Sequence, residues 1–275
     1  MQTFYRPEEQ MTNQFVGKVI KVGETDSALV RQIQQALSER GYGPFHAGVF
    51  DAEMASVVRL FQSQNVDAID RPLTIDGEVG MYTWGSLFPS MMSQPSSEPS
   101  PLMLQALAMA ITQGGQLESP LGSNRGPMVD QYLISVGIDP TVGKPESRYW
   151  CMAFVFWCFE AAAKSIGTSN PLPRTAGCLH HWNLSKTIPK AVRITNKDAY
   201  EHPELIKPGL VFILDLGQGL GHTGIVEKLL PGGILATIEG NTNTAGNRNG
   251  IGVFQSIRRK LNDRTLKGFV DYALC

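Results

Sequence analysis

Several features that would define a protein class are scarce or missing in this chain. Four cysteines among 275 residues, none in a CxxC pair, indicate neither a zinc site nor a disulfide framework. No apolar run approaches the length that spans a membrane. The N-terminus lacks the basic and apolar segments of a secretory signal. The formal net charge of −1 disfavours a general nucleic-acid binder, because such proteins carry a basic excess.

What the sequence does contain is a segment dense in proline and serine at residues 89–101. This composition cannot bury apolar surface and favours an extended chain, so we predict a linker there. The linker separates two predicted domains. The smaller domain covers 18–88 and is preceded by a polar leader, and the larger domain covers 102–275. We expect an α+β protein, with three helices in the first domain and helices packed on a small antiparallel sheet in the second.

Apolar periodicity predicts the three helices of the first domain. They cover Ser27–Arg40, approximately Ala52–Gln64, and Met81–Leu87. Glycine-containing turns precede the second and third helices, and Gly48-Val49-Phe50 echoes Gly77-Glu78-Val79 as a loose internal repeat. The residues expected to face inward are Leu29, Ile33, Ala36 and Leu37 on the first helix, and Val57, Leu60 and Phe61 on the second.

Residues 25–88 resemble the three-helix peptidoglycan-binding domain found beside many cell-wall hydrolases. The resemblance rests on three elements in order, which are Leu29 to Leu37, Val58-Arg59-Leu60-Phe61-Gln62, and the stretch from Asp76-Gly77 through Thr83-Trp84 to Leu87. It departs from the family at Ala47-Gly48, where the first Asp-Gly turn is expected. The resemblance implies peptidoglycan as a binding partner. We predict contacts with it from Asp76, Gly77 and Trp84, although an aromatic such as Trp84 can equally belong to a core.

A nearly unbroken apolar run in the second domain follows turn-prone residues at 144–148 and continues to Ile166. It is too long for an ordinary strand and lacks a period of two, so we predict a buried helix beginning near Cys151. Unpaired N–H groups and the helix dipole at that position lower the thiol pKa from its ordinary value of ~8.5. The thiolate is a nucleophile, so Cys151 is a candidate for covalent catalysis. The alternative is simple packing, the role that we give to Cys158.

The rest of this domain reads as helices first and strands second. Helices are expected around 103–112 and 128–136, and an irregular excursion is expected from Gly167 to His202. Short apolar runs separated by Gly, Pro and Asn then predict antiparallel strands at Gly209–Leu216, Thr223–Leu230, Ile234–Glu239 and Gly252–Ile257.

Polar residues on these strands supply partners for a thiol. His222 begins one strand close to glycines that let a backbone or substrate approach the ring, Glu239 ends another strand, and Asn241 follows. A thiol nucleophile needs a base, and the base needs a carboxylate or amide that fixes its tautomer. We therefore predict His222 as the base. The adjacent pair His180 and His181 is the less favoured alternative.

Four motifs in this order resemble the CHAP domain, a family of cysteine- and histidine-dependent amidohydrolases and peptidases with a papain-like α+β fold. They are Tyr149-Trp150-Cys151-x-Ala153-Phe154-Val155, Lys207-Pro208-Gly209, Gly221-His222-Thr223-Gly224-Ile225-Val226 and Glu239-Gly240-Asn241-Thr242. The resemblance implies that Cys151 is the nucleophile, His222 the general base, Glu239 the group that orients the imidazole, and Asn241 a supporting polar group. Trp150 is predicted to contact substrate.

Two departures from that family bear on the predictions. Leu210 stands where an aspartate often follows Pro-Gly, a position that is usually structural. The Asp-rich loop through which some relatives bind calcium has no counterpart, so we predict no metal and no cofactor.

Together the two resemblances imply a peptidoglycan hydrolase that cleaves amide bonds of the stem peptide. The motifs leave open whether it is an N-acetylmuramoyl-L-alanine amidase or an endopeptidase. Two further alternatives remain, an amidase acting on a small peptide conjugate and a non-catalytic cell-wall-binding protein.

The domain layout resembles that of phage lysins and of injected antibacterial toxins. We expect synthesis in the cytoplasm without a signal peptide, followed by delivery to the wall in the periplasm or outside the cell. The partners expected are peptidoglycan and, for an injected effector, a secretion-machine component or an immunity protein. Nucleic acid and a membrane span are not expected.

Overall fold

A computed structural model describes residues 15–89, 97–243 and 250–275 of the chain. The chain divides into two compact units, Met1–Ser93 and Gln94–Cys275, and each is described by itself. Positions 90–96 of the predicted linker lie outside the described residues, as does most of the predicted leader. The linker and the domain boundaries therefore stay predictions.

Three helices form the first unit, which are α1 (Ser27–Ser38), α2 (Ala52–Gln64) and α3 (Met81–Leu87). Asp26 and Asp51 fix the starts of α1 and α2, because their carboxylates accept hydrogen bonds from backbone N–H groups that lack a partner within the helix. The inward face predicted for α1 is confirmed. Its buried members include Leu29, Ile33, Ala36 and Leu37.

The inward face predicted for α2 is wrong in part. Phe61 is buried, but the Leu60 side chain is 50 % exposed and Val57 is half-buried. The residues that complete the buried face are Met54 and Val58, which precede Phe61 by seven and three positions and so lie on one side of the helix. The error arose from a run of apolar residues too dense to define one face by itself.

The internal repeat has a physical basis in two buried glutamines. Gln34 of α1 accepts a hydrogen bond from the Gly48 N–H group at 2.8 Å, and Gln62 of α2 accepts one from the Gly77 N–H group at 2.9 Å. Each amide also donates to backbone carbonyl groups of the same turn. Both glycines have a positive φ, 72° and 79°. Each glutamine therefore fastens a left-handed turn to the helix that precedes it.

The second unit contains five α-helices among its described residues. They are α4 (Pro101–Thr112), α5 (Pro127–Ser135), α6 (Cys151–Ile166), α7 (Cys178–Leu184) and α8 (Asn196–Glu201). Helix α6 ends at Gly167, whose φ of 71° gives the left-handed conformation that commonly closes a helix. No helix in the described part of the chain is long and apolar enough to cross a membrane.

Six strands form one antiparallel sheet in the order β1-β6-β2-β3-β4-β5. They are β1 (Val192–Thr195), β2 (Val211–Gly217), β3 (Leu220–Leu230), β4 (Ile234–Thr242), β5 (Gly252–Lys260) and β6 (Leu266–Asp271). Every residue of β4 is buried, and α6 packs against β3 and β4. The predicted α+β class, with helices on an antiparallel sheet, is confirmed.

Two parts of the predicted architecture need correction. The stretch from Gly167 to His202 is not irregular throughout, because it contains α7, β1 and α8. Buried side chains such as Trp182 and Ile194 anchor these short elements. The prediction also missed β6, which pairs with both β1 and β2.

A glycine lets the start of α6 lie directly on the sheet. A Cβ atom on Gly240 of β4 would fall 2.7 Å from Phe154 Cβ and 2.8 Å from Trp150 Cζ3. No side chain fits in that space, so the first turn of α6 and the middle of the sheet are in close contact. This contact brings Cys151 next to the strands that carry the polar residues.

Candidate active site

The nucleophile candidate is placed by the start of α6. Cys151 is the first residue of that helix and its side chain is only 4 % exposed. Its backbone N–H group belongs to the first turn, where N–H groups have no partner within the helix. The helix start predicted from sequence is thus the one observed.

His222 and Glu239 meet across β3 and β4. The Nε2–H group of His222 donates to Glu239 Oε2 at 2.7 Å, and both side chains are almost fully buried. Gly224 makes room for this contact, since a Cβ atom there would lie 2.9 Å from Glu239 Cγ. The structure therefore joins two of the predicted site residues directly.

The second ring nitrogen of His222 is left for the thiol. His222 Nδ1 is buried and has no hydrogen-bond partner of good geometry among the described residues. The ring and the Cys151 sulfur interact closely enough to shift each other's pKa. Because Nε2 is hydrogen-bonded to Glu239, Nδ1 is the ring atom that can exchange a proton with the Cys151 sulfur.

The electrostatics favour a thiolate–imidazolium pair. A hydrogen bond from Cys178 lowers the pKa of Cys151, burial raises it, and the hydrogen bond and charge of His222 lower it further, so the net pKa lies well below its usual value. Burial lowers the pKa of His222, but its interactions with Cys151 and Glu239 raise it more, to about 9. At neutral pH the proton therefore sits on the imidazole.

Two residues that the sequence analysis did not single out hold the Glu239 carboxylate. Arg259 of β5 donates from Nε to Oε1 at 2.9 Å and from Nη2 to Oε2 at 2.6 Å, and Thr237 Oγ1 donates to Oε1 at 2.7 Å. Burial raises the pKa of Glu239, but the hydrogen bonds from His222 and Arg259 lower it to about 2. The carboxylate is therefore ionised throughout the neutral range.

Asn241 lies on β4 two positions after Glu239 and is 1 % exposed. Its backbone has a φ of 52°, which is uncommon for a residue other than glycine. Neither amide atom of its side chain has a hydrogen-bond partner among the described residues. Its amide therefore keeps unused donors and an acceptor in the buried strand that carries Glu239.

Trp150 is placed in the core rather than on a substrate surface. It is 0 % exposed and stacks on Tyr132 with ring centroids 5.6 Å apart. Its indole N–H group donates to Glu118 Oε1 at 2.9 Å, and the Asn124 N–H group donates to Glu118 Oε2 at 3.1 Å. Trp150 therefore supports the start of α6 from within the core. Because its side chain has no exposed surface, this geometry does not support the predicted contact between Trp150 and substrate.

Of the residues predicted to bind glycan in the first unit, only Asp76 is exposed. Gly77 is buried in the turn held by Gln62, and Trp84 is 3 % exposed beside Phe88 at a ring-centroid distance of 4.6 Å. Asp76 Oδ1 itself accepts hydrogen bonds from the Gln62 amide and the Glu78 N–H group. The predicted contacts of Trp84 with glycan find no support in this geometry.

The two histidines of the less favoured alternative have other partners. His181 is buried, shares a 3.0 Å hydrogen bond with the Tyr272 hydroxyl, and has its pKa lowered to about 3 by burial. His180 pairs with the Thr175 hydroxyl at 3.1 Å and is exposed. His222 is the histidine that the structure brings to Cys151.

One group of side chains in the described residues has metal-ligand spacing. His46, Asp51 and Glu53 lie together on the first unit, with His46 Nδ1 2.7 Å from Asp51 Oδ2. Asp51 already accepts the hydrogen bond that begins α2, and the His46 and Glu53 side chains are largely exposed. This cluster is accounted for by helix capping and a surface ion pair.

Comparison with known families agrees with this geometry. Residues 143–241, which contain all four predicted catalytic positions, match the family described as CHAP domain. This segment of the second unit matches a CHAP domain. Residues 26–87 match the family described as putative peptidoglycan binding domain. No curated protein and no solved structure gave a significant match. Both resemblances noted in the sequence are confirmed, and the pair of domains implies a peptidoglycan hydrolase of the amidase or peptidase class.

Proposed function

We propose that the protein cleaves amide bonds in the stem peptides of peptidoglycan through a Cys151–His222–Glu239 thiol mechanism. The observation that carries the proposal is the buried series of interactions from the Cys151 sulfur to the His222 imidazole and on to the Glu239 carboxylate. The same protein also has a segment that matches a peptidoglycan-binding domain. Thiol, imidazole and carboxylate in this order are the parts that nucleophilic acyl transfer requires.

The first step is attack of the Cys151 thiolate on an amide carbonyl. The resulting oxyanion is stabilised by the Cys151 N–H group, which lies in the first turn of α6, and by one further donor. Asn241 is our candidate for that donor because its amide has no partner among the described residues. The His222 imidazolium then protonates the leaving amine, and a thioester remains on Cys151.

The second step is hydrolysis of the thioester. His222, now neutral, accepts a proton from water, and the resulting hydroxide attacks the thioester carbonyl. Collapse of the second tetrahedral intermediate releases the acid product and regenerates the thiolate. Glu239 keeps Nδ1 directed at the reacting atoms in both steps, since Nε2 stays hydrogen-bonded to its carboxylate.

The role proposed for the first unit is to keep the catalytic unit at its polymeric substrate. A second attachment raises the local concentration of cleavable bonds without adding contacts at the catalytic residues. Deleting residues 15–89 would then slow digestion of intact sacculi far more than digestion of soluble fragments.

Digestion of purified sacculi with wild type and Cys151→Ala, followed by mass spectrometry of the products, tests the proposal. Free intact stem peptides with the lactyl group left on glycan would identify an amidase. Shortened or uncrosslinked stem peptides would identify an endopeptidase. Intact sacculi after treatment with wild type would reject both, and cleavage of a small peptide conjugate alone would favour the smaller substrate.

The delivery route is a further part of the proposal. A phage-type lysin and an injected antibacterial effector both need the wall as target, and an injected effector implies a secretion-machine component and an immunity protein as partners. The chain should be toxic when directed to the periplasm and harmless when kept in the cytoplasm. Equal toxicity in both compartments would contradict the wall as target.

A further inference from the structure

A second thiol lies beside the nucleophile. Cys178 Sγ is 3.5 Å from Cys151 Sγ, a hydrogen-bond distance for two sulfurs and far longer than a disulfide bond. Both side chains are buried, with exposures of 4 % for Cys151 and 6 % for Cys178. Cys178 does not belong to the predicted catalytic set, yet its sulfur lies within hydrogen-bond distance of the reactive sulfur.

We infer that Cys178 is a positioning residue whose S–H group donates a hydrogen bond to the Cys151 thiolate and holds that sulfur in its reactive, ionised state. The inference rests on the proposed function in one respect, which is that Cys151 is the nucleophile.

The direction of this hydrogen bond follows from the neighbours of the two sulfurs. Cys151 faces the imidazole of His222, which takes up the thiol proton and becomes the imidazolium. A thiolate can only accept hydrogen bonds, and two thiolates at this separation would repel each other. Cys178 therefore keeps its proton and is the donor.

The position of Cys178 is fixed from two sides. It is the first residue of α7, and that helix packs against β2 and β3. A Cβ atom on Gly221, the residue before His222, would lie 2.9 Å from Cys178 Cβ. Cys178 thus fills the space between the strand that carries the base and the sulfur of the nucleophile, which limits the motion of its own sulfur.

A donor at this place has a specific chemical use. Burial disfavours an ionised sulfur, and the imidazolium approaches Cys151 from one direction only. A thiol on another side supplies a second stabilising contact without carrying charge or acting as a competing base. A weak S–H donor also leaves the thiolate nucleophilic, whereas a stronger donor would reduce its reactivity.

The test is the pH dependence of Cys151 alkylation in the full chain, measured without peptidoglycan. Wild type, Cys178→Ala and Cys178→Ser are treated with iodoacetamide after reduction with a phosphine. The rate is read from the Cys151 peptide by mass spectrometry, so labelling of other cysteines does not interfere. We expect Cys178→Ala to raise the apparent pKa of Cys151 by about one pH unit. At pH values below the wild-type pKa of Cys151, alkylation of Cys151 in this variant is then about tenfold slower than in wild type.

Cys178→Ser restores a hydrogen-bond donor of similar size. In this variant the apparent pKa of Cys151 should return most of the way to its wild-type value. Cys158→Ala is the matched control, because Cys158 is a buried thiol on α6 outside this cluster and its removal should leave the alkylation profile unchanged. If the alanine variant does not fold, Cys178→Val fills the same space without a donor and replaces it.

The acid limb of sacculus digestion should move to higher pH in Cys178→Ala by the same amount as the alkylation profile. An unchanged alkylation profile in Cys178→Ala overturns the inference even if digestion is normal. Equal shifts in the alanine and serine variants overturn it as well, because they would indicate packing rather than donation. A shifted alkylation profile in a protein that leaves sacculi intact would reject the proposed function and keep the inference.

Discussion

Arg259 and His222 bind the same carboxylate, that of Glu239, from two different strands. Glu239 Oε2 accepts from His222 Nε2 at 2.7 Å and from Arg259 Nη2 at 2.6 Å, while Oε1 accepts from Arg259 Nε. The guanidinium binds both carboxylate oxygens, and Oε2 keeps a second lone pair for the imidazole. The orientation of His222, which lies on β3, therefore depends on a residue of β5, the strand that pairs with the strand of Glu239.

Replacement of Arg259 by methionine should lower kcat/KM for peptidoglycan cleavage about 10–100-fold, the amount expected for loss of one or two hydrogen bonds to a charged group. Arg259→Lys should lose less activity than Arg259→Met, since lysine keeps the positive charge but cannot make the bidentate contact with Glu239. The measurement is the initial rate of sacculus digestion for each variant.

Arg258→Met is the matched control for that experiment. Arg258 is the preceding residue, is exposed, and changes charge by the same amount when replaced. Equal losses in the Arg258 and Arg259 variants would mean that net charge on β5, and not the bond to Glu239, sets the rate.

The pH profile of cleavage should fall on its alkaline side near pH 9. His222 must be protonated to donate to the leaving amine, and its pKa is raised from 6.5 to about 9 by Cys151 and Glu239 despite the opposing effect of burial. The imidazolium is therefore fully present at neutral pH and is lost as the pH rises through 9. Measuring kcat/KM from neutral to strongly alkaline pH checks this.

Glu239→Gln should move that alkaline limb to lower pH, because the amide removes a negative charge that favours the imidazolium. A limb that stays in place in the glutamine variant would contradict the assignment of this pKa to the His222–Glu239 pair. A fall in rate at every pH with no shift would have the same meaning.

Much of the site could be predicted from sequence because local signals mark its members. The end of a polar stretch and the start of a long apolar run placed Cys151 at a helix start, and the structure has α6 beginning there. Glycines near His222 and the end of an apolar run at Glu239 placed the other two on strands that are adjacent in the sheet. These signals lie within a few residues of each functional position.

The supporting residues could not be predicted because their roles arise from pairing between distant segments. Arg259 sits in the run Arg258-Arg259-Lys260, which in sequence looks like an exposed charged edge. Only the β4–β5 pairing turns it toward Glu239. Cys178 begins a helix of seven residues within a stretch that reads as irregular, so nothing local connects it with Cys151.

The buried carboxylate of Glu118 should prove important for the stability of the catalytic unit. Its two oxygens accept from the Trp150 indole and the Asn124 N–H group, so Glu118→Gln leaves one of these donors facing an NH₂ group. We expect a loss of about 1–3 kcal/mol in the free energy of unfolding.

Urea unfolding of wild type, Glu118→Gln, Trp150→Phe and the double variant measures that effect. Coupling between the two single changes of at least about 0.5 kcal/mol is expected, since the residues share one hydrogen bond. Additive losses would show that the Glu118–Trp150 hydrogen bond contributes nothing beyond its surroundings.

The buried amide of Gln62 anchors the turn at residues 76–78 in the first unit. The two N–H groups of Gln62 Nε2 are shared among three acceptors, Asp76 Oδ1, the Glu78 carbonyl and Thr83 Oγ1, and Gln62 Oε1 accepts from the Gly77 N–H group. Gln62→Ala removes all of these contacts and leaves buried backbone groups unpaired, which should destabilise the unit by about 2–4 kcal/mol. Because the 76–78 turn would then lose its anchor, binding to sacculi should weaken, as measured by co-sedimentation in the Cys151→Ala background.

Ser63→Ala, an exposed change on the same helix, is the control and should bind sacculi as the parent does. Parent-like binding by Gln62→Ala would place the wall contacts away from this turn.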